Sequence, residues 1–60
     1  MTKKTQKIIN KYNAWVAKDM IYDSWENEDY ENTTVYEDIE GNVISVTRTE
    51  KGEIIDAWED

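Results

Sequence analysis

Ile8, Ile9, Tyr12, Trp15, Val16 and Met20 recur at three- to four-residue spacing, and neither Gly nor Pro interrupts residues 3–25. This period predicts an amphipathic helix over about residues 3–25. At roughly 100° per residue the apolar side chains fall within a sector of about 140°, and Lys3, Lys4, Lys7, Lys11 and Lys18 gather in an adjacent sector of about 100°. Either Thr2 or Thr5 offers a hydroxyl to cap the first turn. After residue 32 the period changes to two. Asp38-Ile39-Glu40-Gly41 and Thr49-Glu50-Lys51-Gly52 each set a turn former first and Gly fourth, which is the pattern of a type I turn closed by a left-handed Gly bulge. The two turns introduce similar strands at a spacing that any meander produces. The expected fold is therefore α+β: one N-terminal helix packed on a three-stranded antiparallel meander over about residues 33–59. A loop over about residues 26–32 joins them, and residues 1–60 make a single small domain.

Bulged turns of this kind pair Tyr36 with Ile44, and in the second hairpin Ile44 with Trp58 and Val46 with Asp56. One face then presents Tyr36, Ile44, Val46, Ile54 and Trp58 to Ile8, Tyr12, Trp15, Val16 and Met20 of the helix. The other face carries Val35, Val43, Ile55 and Ala57 among Glu37, Ser45, Thr47 and Glu59. A contiguous apolar patch there is an association surface by its physics, so these four residues are expected to mediate self-association, as a homodimer.

Charge changes the picture more than composition does. Residues 1–18 carry five lysines and no acid; from Asp19 onward fourteen carboxylates face only Arg48 and Lys51, and the net charge is −7. Cations thus crowd the N-terminal half of the helix and acids its expected C-terminal end, an order that opposes the helix macrodipole. The acidic half of the same molecule, a second copy or a foreign partner must favour it, the mildest case being pairing of the lysine stripe with the acidic sheet of the same molecule. Phe is absent, whereas Tyr occurs four times and Trp three times, so the aromatic mass carries polar groups suited to half-exposed positions.

Candidate chemistry is sparse. With no Cys and no His, disulfides, thiolate or imidazole catalysis and the usual zinc sites are excluded. Ser24 and Ser45 have no base beside them in the sense nucleophilic catalysis requires. Pairs such as Glu37 with Asp38, or Glu28 with Asp29, lack a cleft to desolvate them, and Asn27, Asp29 and Glu31 alternate without the Gly of a calcium loop. No phosphate-binding glycine loop occurs. The chain is therefore expected to be no enzyme and to take no cofactor or metal. Direct nucleic-acid binding through the lysines is opposed by the acidic remainder. No apolar run reaches the roughly 18 residues of a membrane span, and a cytoplasmic location is expected.

What remains is an acidic, aromatic-studded surface. Asp23, Trp25, Glu26, Glu28, Asp29, Tyr30, Glu31, Glu37 and Asp38 are the candidate partner-binding residues. Carboxylates on a rigid scaffold imitate a phosphate backbone and steer association with a basic protein surface, while the aromatics serve as anchors. Residues with AT-rich codons (Ile, Asn, Lys, Tyr, Met) number 24, against six for Gly, Ala and Arg, pointing to a low-GC bacterium or its phage. In size, acidity and composition the chain resembles the small accessory proteins with which phages and mobile elements disable host enzymes or defence systems. That resemblance implies a function exerted by binding in the host cytoplasm, as a DNA mimic or another host-enzyme inhibitor, and a self-associated active form. A self-associating structural or assembly protein and an acidic antitoxin are the alternatives.

Overall fold

The computed structural model describes residues 2–60. Helix α1 spans Lys3–Ala17. Thr2 is its N-cap, the hydroxyl accepting from the Thr5 N–H at 3.1 Å. The helix ends eight residues earlier than its period predicts. Asp19 takes a left-handed conformation, φ 55°, its N–H donating to the Val16 carbonyl while the Met20 N–H donates to that of Trp15 at 2.9 Å. These two bonds form a Schellman stop, in which Asp replaces the usual Gly. Met20 then packs against the core on the same side as Trp15.

Four strands follow: β1 Ile21–Glu26, β2 Thr33–Asp38, β3 Val43–Arg48 and β4 Ile54–Glu59. They form one antiparallel sheet in the order β1-β2-β3-β4. The fold is α+β as expected, but with four strands rather than three. Residues 21–25, expected as helix, are β1, and the connecting loop is 27–32. β1 was not legible because an irregularity between Ile21 and Asp23 breaks its period of two, and the helical period runs on to Met20 without a Gly or Pro to end it.

Both expected turns form. Gly41 and Gly52 each sit at φ 89°, and their N–H groups donate to the carbonyls of Asp38 and Thr49. In the first hairpin Tyr36 opposes Ile44, as expected. In the second, Arg48 opposes Ile54 as the turn dictates, but a bulge at Ile54–Ile55 then slides β4 by one residue. Val46 therefore faces Ala57, not Asp56, and Ser45 faces Trp58. The physical reason is Asp56. Without the bulge its carboxylate would lie on the buried face opposite Val46, and an unpaired charge there is costly. The slip places small Ala57 under the helix and sends Trp58 to the other side.

α1 lies across β4 and β3. Ile8, Ile9, Tyr12 and Trp15 pack on Ile44, Val46 and Ala57, with Met20, Ile21, Tyr36 and Ile54 at the margin. Ile9 and Val16 share one stripe of the helix two turns apart. Ile9 is buried and Val16 is 53% exposed, so sheet cover on that stripe ends before the last turn. Arg48 ties the layers together by donating to the Tyr36 hydroxyl at 2.9 Å and to that of Tyr12 at 2.6 Å. Its guanidinium lies within 5.6 Å of both ring centroids, close enough for cation–π attraction. Burial opposes its charge, but the hydrogen bond and charge of Tyr36 and Tyr12 outweigh burial and raise its pKa. Tyr12 is also raised, by burial first and then by Tyr36, against the opposing pull of Arg48. No helix among the described residues is long and apolar enough to cross a membrane.

Candidate functional site

Because α1 occupies one face of the sheet, the other is open, and strand register decides what it presents. Trp25 opposes Val35, Val35 opposes Ser45 and Ser45 opposes Trp58. This single row crosses all four strands. Val35, 6% exposed, and the fully buried Ser45 lie in the middle of the row, although no helix covers them. The cover is local. Tyr30 reaches from the 27–32 loop to meet the Trp58 ring edge-on, centroids 5.1 Å apart. Asp60 accepts from the Ser45 hydroxyl at 2.6 Å, and its N–H donates to the Val43 carbonyl.

The loop that carries Tyr30 is shaped by its own short polar side chains. The Asn27 side-chain oxygen accepts from the Asp29 N–H at 2.9 Å, an Asx turn. Asn32 takes φ 55°, and its carbonyl accepts from the Arg48 N–H. Just beyond it, Thr33 and Thr47 share a 2.7 Å hydroxyl bond. Glu28, Asp29, Tyr30 and Glu31 are thus held out into solvent at one end of the sheet. Open grooves of about 430 and 780 Å³ are lined on their shared side by residues of this loop.

Most of the expected partner-binding residues come together. Asp23 and Glu37 oppose each other on the open face beside Trp25, which is 45% exposed, and Glu28, Asp29, Tyr30 and Glu31 stand at its end. Glu26 closes β1 on the helix side, opposite Thr34. Asp38 does not belong to this surface. It is 2% exposed, and its carboxylate accepts from the N–H groups of Glu40 and Asn42 and from the Asn42 amide. Burial opposes ionisation there, but these bonds, with Lys11 nearby, prevail and hold its pKa below the usual aspartate value.

The four expected self-association residues do not share a patch. Ala57 is under the helix, Val35 is covered by its neighbours, Val43 is half-buried, and only Ile55, in the bulge, is exposed. Trp58, expected against the helix, is instead half-buried on the open face, where Asp56 and Asp60 join it. The signal available for this was Asp56 itself, an acid at a position the uninterrupted register would bury.

The lysine stripe lies on the opposite side of the sheet. Among the described residues it forms one ion pair, Lys11 with Glu59 at 3.9 Å, so intramolecular pairing compensates little of its charge. Lys3, Lys4, Lys7 and Lys18 are exposed. Among the described residues no three carboxylates are grouped to hold a metal ion, and no buried side-chain polar atom lacks a hydrogen-bond partner. The chain matches no known family model, no curated protein and no solved structure.

Proposed function

We propose that this chain is a non-enzymatic binding module, an inhibitor of the phage type, that docks its open sheet face on a basic surface of a host nucleic-acid-handling or defence enzyme. The observation that carries this reading is the aromatic row of Trp25 and Trp58, joined by Tyr30, with Asp23, Glu37, Asp56 and Asp60 on the same face and Glu28, Asp29 and Glu31 at its end. Desolvated aromatic anchors within a polar rim are how interfaces concentrate binding energy. An acidic rim adds long-range attraction for a cationic partner and repels acidic competitors. The anchors are also pre-ordered, since Trp58 and Tyr30 already pack on one another, which lowers the entropy lost on docking.

The test is capture of host proteins from a nuclease-treated lysate of a low-GC bacterium, using wild type and the triple variant Glu28→Lys, Asp29→Lys, Glu31→Lys. A nucleic-acid-handling enzyme retained by wild type at low salt, shed at high salt and inhibited in its own assay is the expected result. The triple variant should lose it while melting as wild type does, because all three side chains are exposed and outside the core. Equal capture by the variant would remove the acidic surface from the function.

A further inference from the structure

The sheet has two free edges, and they differ. β1 is exposed at five of its six residues, whereas β4 has Ala57 buried under α1, and Ile54 and Trp58 half-buried. Backbone direction along β1 follows from its ladder. The Asn27 N–H donates to the Thr33 carbonyl of β2 at 3.0 Å. In an antiparallel pair such inward residues alternate with outward ones, so Trp25 and Asp23 turn their peptide groups to β2, while Glu26 and Ser24 turn theirs to solvent. The Ser24 N–H confirms the direction: its partner is no strand but the Asp23 carboxylate, at 2.8 Å.

The geometry points to β1 as a docking edge for an extended cationic segment of the partner, added as a fifth strand beside Ser24 and Glu26. This deepens the inhibitor reading and rests on it. Backbone bonds to a sheet edge supply affinity in strand addition, and side chains that alternate between the two faces supply specificity. Here Asp23 and Trp25 lie on one face and Glu26 on the other, so a Lys or Arg of the added strand meets a carboxylate on either side. Charge also selects the edge. α1, with its four lysines, packs against β4, and these cations offset the carboxylates of that edge, Lys11 already pairing with Glu59 at 3.9 Å. A second copy is an unfit occupant, because it would bring its own Asp23 and Glu26 to an edge that already carries them, on a molecule of net charge −7. In the free protein the Asp23 carboxylate occupies the Ser24 N–H and blunts the edge toward neutral strands, a common protection of exposed edges. A lysine or arginine on the incoming strand offers that carboxylate a better partner and frees the N–H.

The probe is an acetylated, amidated heptapeptide of alternating Lys and Val, titrated at low salt with Trp fluorescence and backbone amide exchange as readouts. Binding should slow exchange of the Ser24 and Glu26 amides. A peptide of the same sequence N-methylated on both edges should bind about tenfold or more weakly, having lost its backbone donors. Ser24→Pro removes the outward N–H together with its bond to the Asp23 carboxylate, a change tolerated on the solvent side of an edge strand, and should weaken the unmethylated peptide similarly. If the methylated peptide and the Ser24→Pro variant both bind as tightly as their parents, strand addition is overturned while docking on the acidic face stands. Peptide binding without protection of Ser24 and Glu26 overturns it in the same way. Absence of peptide binding overturns the strand-addition reading, and the charge-reversal capture then decides the inhibitor reading independently.

Discussion

At the scale of single residues, two aspartates do work that their acidity alone does not announce. Asp38 is a buried turn cap whose pKa lies below the ordinary value of 3.8. A carboxylate depressed on folding contributes stability that is complete above its unfolded pKa and is lost as pH falls through the folded value. The melting-temperature gap between wild type and Asp38→Asn should therefore be wide at neutral pH and should close below about pH 3.8; a gap that persists in acid would place the contribution in packing instead. Asp19 holds the left-handed stop of α1, a conformation that costs a non-glycine residue roughly 1 kcal/mol. Asp19→Gly should accordingly raise the unfolding free energy in urea by about 0.5–1 kcal/mol. Arg48 bonds two tyrosine hydroxyls and lies against both rings, so Arg48→Leu should cost about 2–3 kcal/mol by the same measurement.

At the scale of elements, legibility followed how local the determining interaction is. The first hairpin was readable because Asp38 and Gly41 dictate its turn and the turn dictates its register. The start of α1 was readable to within two capping hydroxyls, Thr2 and Thr5, of which Thr2 is the cap, for the same reason. Its end was not, because the left-handed residue is Asp19 rather than Gly, and Met20 continues the helical spacing while packing from the chain beyond the helix. β4 failed differently. Its turn forms as expected, and the error enters two residues later, where the cost of burying Asp56 favours a bulge. Deleting Ile55 should therefore leave Ala57 opposite Val46 and Ile54 opposite Arg48, as they are now, and the shortened chain should remain folded. Deleting Ser45, by contrast, inverts the facing of one half of β3 relative to the other, because side chains alternate along a strand, and should abolish cooperative melting. Circular dichroism melts of the two deletions decide the matter. The candidate site shared this fate: Asp23, Glu28, Asp29, Glu31 and Glu37 were singled out in the sequence, but Asp56 and Asp60 were not, Asp38 is a buried turn cap, and Trp58, half of its aromatic centre, was assigned to the wrong face by the same missing bulge.

At the scale of the whole molecule, the charge asymmetry of the sequence becomes a separation in space. The helix lysines stand on one side of the sheet, and the acidic aromatic face lies on the other, a division that the sequence located along the chain but not across the fold. Among the described lysines only Lys11 is in an ion pair, so Lys3, Lys4 and Lys7 repel each other, and Lys3 and Lys4, in the first turn, also oppose the positive end of the α1 dipole. Surface charges so placed are each unfavourable by about 0.3–1 kcal/mol at low ionic strength. Replacing all three with Gln should therefore raise the melting temperature at low salt, and the gain should shrink at high salt as screening shortens to a few ångströms. Docking on the far side of the sheet should be nearly unchanged in affinity, because sheet and helix separate these lysines from Trp25 and Trp58. The association rate should rise slightly, since the net charge of −7 becomes −10 when three cations are removed, and a more negative molecule is steered more strongly to a basic surface. A triple variant that is stabilised but no longer captures its partner would show instead that the lysine side is itself part of the interface.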